Sequence, residues 1–219
     1  MKTLITGCSR GIGFGLVQEA LKAGHKVYAV ARNTSSLQKL ASQHPEQLTL
    51  LQIDISQAGA IDELARRQSA EGLDVLINNA GMMTQGETAE DLAQSFWVNS
   101  TIPFLLSRAL LPTLQKSAAP RVAQISTLMA SIHDNSSGGY YAYRSSKTAL
   151  NMLTRSLAID HPQIAFALIH PGWVKTEMGG SRAPTEVSES VAGIWKVIMG
   201  MRPGNSGQFV NFKGEALPW

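Results

Sequence analysis

Tyr143 and Lys147 are the pair whose types and spacing most directly suggest chemistry. Residues four apart on a helix share a face, so a phenol and an ammonium group would stand side by side. A free phenol titrates near pH ~10, and a cation close by favours phenolate, so the expectation is a tyrosine tuned to exchange a proton with an alcohol or carbonyl near neutrality. Tyr140 and Tyr141 are followed four residues later by Arg144 and Ser145, so only Tyr143 has a lysine in register. Tyr-x-x-x-Lys is nevertheless a short pattern that arises often by chance, and what surrounds it decides its meaning.

The second constellation is Thr6-Gly7-Cys8-Ser9-Arg10-Gly11-Ile12-Gly13, directly after an apolar run and directly before a helical pattern. Glycines at a strand-to-helix turn let the backbone approach a pyrophosphate, and the N–H groups at the helix start favour the anion. The G-x-x-x-G-x-G spacing differs from the general dinucleotide fingerprint, and no Lys-Ser/Thr pair follows to make a nucleotide triphosphate loop. After the second apolar run, where NAD-selective sheets carry a carboxylate for the ribose hydroxyls, the chain reads Ala31-Arg32-Asn33. Arg32, with Arg10 flanking, suits a 2′-phosphate, so the expected cofactor is NADP(H).

The elements that must position these residues are visible as short apolar runs at 3–6, 27–30, 48–53, 75–77, 122–125 and 165–169. Between them lie helical periodicities such as Leu16, Ala20, Leu21 and Ile61, Leu64, Ala65. Alternation of this kind predicts parallel strands joined by right-handed crossovers, a doubly wound α/β sheet of the Rossmann type, with residues 208–212 as one further strand. With 219 residues and no linker, repeat or low-complexity tract, one domain spanning 1–219 is expected.

Composition narrows the partners. The net charge of +3 is scattered rather than clustered, which argues against nucleic acid, and no apolar stretch approaches the ~20 residues of a membrane span. Residues 3–6 are too short for a signal peptide, so a cytoplasmic protein is expected. One cysteine, Cys8, and histidines without ligand spacing leave no metal site to expect.

Taken in order, the glycine loop, Asn78-Asn79-Ala80-Gly81, Tyr143-Arg144-Ser145-Ser146-Lys147 and Pro171-Gly172 resemble the short-chain dehydrogenase/reductase family over nearly the whole chain. The stretches from Ser136 to Lys147 and from His170 to Thr176 are similar to the compact branch of C-factor-like signalling proteins and small carbonyl reductases. The resemblance implies that Lys147 also bonds the nicotinamide ribose and that Asn99 holds a water in a proton relay. It implies a substrate-binding hydroxyl after the fifth strand, where the family's Ser-Ser pair reads Ser126-Thr127; Thr127 is the first choice, with Ser126 or Ser131 as alternatives. It further implies a cofactor groove of Gly7, Ser9, Arg10, Gly11, Ile12, Gly13, Arg32, Asp54, Ile55, Asn78, Ala80, Gly81, Tyr143, Lys147, Pro171, Gly172, Val174 and Thr176. The activity so implied is NADPH-dependent reduction of an aldehyde, ketone or quinone, with Met129, Ile132, Trp173 and Met178 hinting at a hydrophobic substrate. A homo-oligomer is among the states relatives adopt. The alternative function is an NADP-binding signalling or regulatory protein with little turnover.

Overall fold

The computed structural model describes residues 1–84 and 86–219. Seven strands, β1 (Lys2–Thr6), β2 (Lys26–Ala31), β3 (Leu48–Gln52), β4 (Val75–Asn78), β5 (Arg121–Ile125), β6 (Ala165–His170) and β7 (Gln208–Asn211), form one sheet in the order β3-β2-β1-β4-β5-β6-β7. Every neighbouring pair runs parallel. The expected strands are all present, with no end moved by more than one residue. The helices are α1 (Gly11–Lys22), α2 (Gln38–Gln43), α3 (Ala60–Glu71), α4 (Ala89–Phe96), α5 (Ile102–Leu114), α6 (Tyr141–Asp160) and α7 (Val187–Met199).

Both faces of the sheet are covered, as parallel strands with helical crossovers require. Side chains alternate along each strand, so Ile5, Val27, Ala29, Val75, Ile77, Ala123 and Ile125 pack with Leu16, Val17, Val191 and Ile194 of α1 and α7. Their neighbours Leu4, Tyr28, Val30, Leu76, Val122 and Phe166 pack on the opposite face with Leu64, Leu106, Leu110 and Leu157 of α3, α5 and α6. Strand order reverses between β1 and β4, and the crevice at such a switch point, beyond the carboxyl ends of the strands, is where this architecture binds ligands. The glycine loop follows β1 there, and Asn79-Ala80-Gly81 follows β4.

One feature has no counterpart in the sequence reading. α4 runs into α5 through a π-helical segment at Trp97–Thr101, which carries the buried Asn99. π segments are uncommon and concentrate at functional sites. Among the described residues, no helix is long and apolar enough to cross a membrane.

Candidate active site

The glycine loop is folded against the segment after β4. The Thr6 hydroxyl accepts from the backbone N–H groups of Asn79 and Ala80, both at 3.1 Å, and the Asn79 amide donates to the carbonyls of Thr6 and Gly7, both at 3.0 Å. A Cβ on Gly13 would overlap the Gly7 carbonyl oxygen, and one on Gly7, which has φ +71°, would lie 2.9 Å from the Ala80 Cα. Glycine is therefore required at both positions by close backbone approach. Asn79 escaped the sequence reading, although an amide directly after a strand at the switch point was a usable signal. Arg10 is the N-cap of α1 in extended conformation and makes no side-chain cap, so no capping side chain takes up the N–H groups at the helix start.

The rim of this crevice is basic and acidic in turn. Arg10 pairs with Glu177 at 2.6 Å, linking the glycine loop to the segment after β6. Arg32, exposed at the end of β2, lowers the carboxyl of Asp54 as a lesser influence, after the hydroxyl and N–H of Ser56 that Asp54 accepts at 2.7 and 3.0 Å. Asp54 thus organises its own turn; the N-cap of α3 is Gly59. Ile12 and Ile55 lean on the cores of their respective faces. The carbonyl of Pro171 accepts from Ser190 at 2.6 Å, Gly172 has φ +86°, and Val174 is buried where it bridges to Thr185. The methyl of Thr176 lies 3.3 Å from where a Gly11 side chain would begin, so the segment after β6 approaches the glycine loop directly.

At the other end of the crevice, a Cβ on Gly81 would stand 3.3 Å from Asn99 Oδ1 and 3.4 Å from Lys147 Nζ. The absent side chain leaves the ammonium, the amide and the segment after β4 in one place. Asn99 accepts from the Met82 N–H at 2.9 Å and donates to the Met82 carbonyl at 2.9 Å and to Ser146 Oγ at 3.0 Å. Its side chain is a brace between the π segment, the loop after β4 and α6. Asn78 points elsewhere: its amide donates to Ser107 Oγ at 3.1 Å on α5.

Lys147 is buried, and Nζ donates to the Ile125 carbonyl at 2.8 Å; burial lowers its pKa to about 8. Tyr143 is part-buried, and its phenol is shifted in the direction opposite to the lowering expected from a neighbouring cation. Burial pushes the phenol up to about 12, and the Thr127 hydroxyl beside it pulls only weakly the other way. Desolvation outweighs the Thr127 hydrogen bond because a phenolate loses more by leaving water than it regains from that one donor.

The three candidate hydroxyls separate clearly. Ser126 donates to Asn151 Oδ1 at 2.7 Å, within the packing of α6. Ser131 donates to the Trp219 carbonyl at 3.1 Å and accepts from the Asp134 N–H. Thr127, extended at φ −155°, accepts from the Met129 N–H at 3.2 Å and faces Tyr143. Alternation along β5 carried this signal, since Ile125 faces α1 and α7 and the next residue must face α6. A cavity of about 180 Å³ opens in front of Tyr143, bounded by Thr84, Gly86, Glu87, Gly139, Tyr140 and Ala142.

A dinucleotide-binding sheet whose switch-point crevice ends at a buried Tyr-x-x-x-Lys pair defines an oxidoreductase of one kind, and the chain belongs to the short chain dehydrogenase family, whose profile matches residues 2–187. Within it the chain lies on the C-factor and carbonyl reductase branch. It is 42% identical over 154 residues to the C-signal of Myxococcus xanthus, covering 67% of this chain and 93% of that protein. Among solved structures, it is similar to the carbonyl reductase Sniffer of D. melanogaster, with a TM-score of 0.93, 34% identity and coverage of 100% and 99% of the two chains. It is equally similar to an NADPH-bound carbonyl reductase from chicken fatty liver, with a TM-score of 0.93, 35% identity and coverage of 100% and 98%.

Proposed function

We propose that this protein reduces a carbonyl compound with NADPH, Tyr143 giving the proton, Thr127 orienting the oxygen and Lys147 holding the cofactor ribose. The observation that carries the reading is the joint placement of Lys147 Nζ beside Gly81 and of Thr127 beside the Tyr143 phenol, at the end of a crevice that begins on the glycine loop. Two further observations support the cofactor. Close backbone packing at Gly7 and Gly13 holds the loop against the segment after β4 with the start of α1 uncapped by a side chain, and Arg32 stands at the end of β2 where a carboxylate would select NAD. The NADPH-bound relative is consistent with the same choice.

Bound NADPH supplies the hydride. The chain's own part is proton delivery and charge placement. A phenol that titrates at about 12 is fully protonated at neutral pH, which is the form a general acid needs. It gives up its proton because the oxygen it faces becomes an alkoxide, a far stronger base than phenolate. A Lys147 with a pKa of about 8 still carries its charge at neutrality and stabilises the phenolate left behind. Thr127 accepts from the Met129 N–H through a lone pair, so its hydroxyl keeps a proton to donate, to the Tyr143 oxygen it stands beside or to a substrate oxygen held by that phenol.

Purified protein should oxidise NADPH in the presence of some members of an aldehyde, ketone and quinone panel. Tyr143→Phe should lower kcat by about 10³-fold, loss of a general acid alone being worth roughly 10²–10⁴. Activity equal to the parent in Tyr143→Phe would end this reading. The likeness to C-signal keeps a second one, an NADP-binding regulatory protein. Calorimetric NADPH binding without turnover of any panel compound would favour it.

A further inference from the structure

Arg144 follows Tyr143 in sequence, but its side chain turns to the loop that joins β5 to α6. Nε donates to the Gly139 carbonyl at 3.2 Å, Nη1 to the Met129 carbonyl at 3.3 Å, and Nη2 to Ser137 Oγ at 2.9 Å. These acceptors come from both ends of one loop: Met129 lies two residues after Thr127, and Ser137 and Gly139 lead into α6. The limb that enters the helix is left-handed. Gly138, Gly139 and Tyr140 have φ of +63°, +66° and +52° in succession, a conformation that glycine adopts freely and that the Cβ of Tyr140 disfavours. Gly139 and Tyr140 also form one wall of the cavity in front of Tyr143.

The rest of the loop is held from elsewhere. The carbonyl of Trp219 accepts from Ser131 Oγ at 3.1 Å and the His133 N–H at 2.9 Å, while Thr148 donates to the Ala130 carbonyl at 2.8 Å. Arg144 is therefore the side chain that ties the entering limb to the turn beside Thr127. A guanidinium can do this because its donors diverge in a fixed plane; an ammonium concentrates them at one point.

We propose that Arg144 is a positioning residue for substrate selection: by tying Gly139 to the turn at Met129 it fixes where the wall of Gly139 and Tyr140 stands relative to Thr84, Gly86 and Glu87 across the cavity, and so sets the width in which large carbonyl compounds meet Tyr143. The inference rests on the proposed role of Tyr143. A substrate wide enough to touch both walls depends on their spacing, whereas a small aldehyde reaches the phenol wherever the wall stands.

The test compares parent, Arg144→Ala, Arg144→Lys and Tyr143→Phe with propanal and with a bulky aryl ketone, measuring NADPH affinity by fluorescence titration in each. Arg144→Ala should lower kcat/KM for the aryl ketone at least tenfold, mainly through KM, and for propanal less than threefold, with NADPH affinity within twofold of the parent. Arg144→Lys should recover only part of the loss. Millimolar guanidinium should restore aryl-ketone activity to Arg144→Ala and none to Tyr143→Phe. Equal losses for both substrates, or loss of NADPH affinity, would make Arg144 a general structural residue and overturn the proposal. Parent-like kinetics in Arg144→Ala with an inactive Tyr143→Phe would overturn it while leaving the proton donor in place; an active Tyr143→Phe would remove the foundation of both.

Discussion

Around the glycine loop, polar groups are matched to one another by short backbone and amide contacts: Thr6 to Asn79 and Ala80, Asn79 to Thr6 and Gly7. Around Tyr143 the matching is incomplete. Lys147 has one acceptor among the described residues, the Ile125 carbonyl, and Asn151 Nδ2 and His170 Nδ1 are buried without partners. Burial lowers His170 to about 4, raises Tyr143 to about 12 and lowers Lys147 to about 8. The first region is stable because of what it does for the fold and for the cofactor alike. The second keeps Tyr143 protonated and His170 neutral at pH 7, the forms that burial favours, but holds Lys147 charged against its desolvation, and that one charge costs stability.

Substitutions in the two regions should then differ: around Tyr143 activity and stability should move in opposite directions, and around the glycine loop they should fall together. The largest effect is expected at Lys147. Lys147→Met keeps the side-chain length, removes the ammonium, and should lower kcat by about 10³-fold or more, through loss of both ribose contact and charge next to the phenol. The same variant should be more stable than the parent at pH 7 by roughly 1–2 kcal/mol, since a buried charge with a single partner is replaced by an apolar side chain. The sign of its pH dependence follows from linkage. Lys147 has a folded pKa of about 8, below its unfolded value, so the parent carries the full penalty below pH 8. The penalty fades between pH 8 and the ordinary lysine range, where the unfolded chain binds the proton and the folded one does not. Denaturant melts of both proteins across pH 6–10 should converge as pH rises; a parent that stays more stable than Lys147→Met at pH 6 would remove the contrast.

Gly13→Ala should do the reverse of this dissociation. The new methyl would overlap the Gly7 carbonyl and press on the Asn79 amide, neither of which is a flexible chain end. Overpacking of this kind costs roughly 1–3 kcal/mol, equivalent to about 2–4 °C of Tm per kcal/mol for a chain of this size. NADPH affinity should fall about 10²-fold in the same variant, because the loop that shifts is the one proposed to meet the pyrophosphate. Thermal melts with and without NADPH would show both losses together. An alanine variant with normal Tm and weak NADPH binding would mean that the glycines serve the cofactor alone.

What could be read beforehand divides along the same line. The strands and the glycine loop were legible because apolar runs and glycine spacing are local properties, and the Tyr143–Lys147 register follows from helix geometry alone. The raised phenol, the commitment of Ser126 to Asn151 and the brace made by Asn99 were not legible, because each depends on which element packs above it. A shared helix face can be inferred from four-residue spacing; the desolvation that raises the phenol cannot. Asn79 and Arg144 lay inside motifs already noticed, yet their bonds run to Gly7, Gly139 and Met129, partners that only the folded chain brings within reach.

The smallest expected effect lies at the rim, where the well-matched region meets solvent. Arg32 makes no ion pair among the described residues, whereas Arg10 is paired with Glu177 at 2.6 Å with both side chains about two-thirds exposed, at 67% and 70%. A 2′-phosphate can recruit Arg32 without displacing anything, but must compete with the Glu177 carboxylate for Arg10. Arg32→Ala should therefore raise the NADPH Kd about tenfold with NADH unaffected, a charged hydrogen bond being worth roughly 1.5–3 kcal/mol less what solvent returns at an exposed site. Glu177→Gln frees Arg10 and should tighten NADPH by about two- to fourfold, since exposed ion pairs are worth roughly 0.2–1 kcal/mol. That gain should shrink as salt is raised, because screening weakens the pair that Glu177→Gln removes. Titrations of NADPH and NADH at low and high salt check both variants. Equal changes for the two cofactors would show that these arginines act on the pyrophosphate or the loop rather than on the 2′-phosphate, and the preference for NADPH would then need another source.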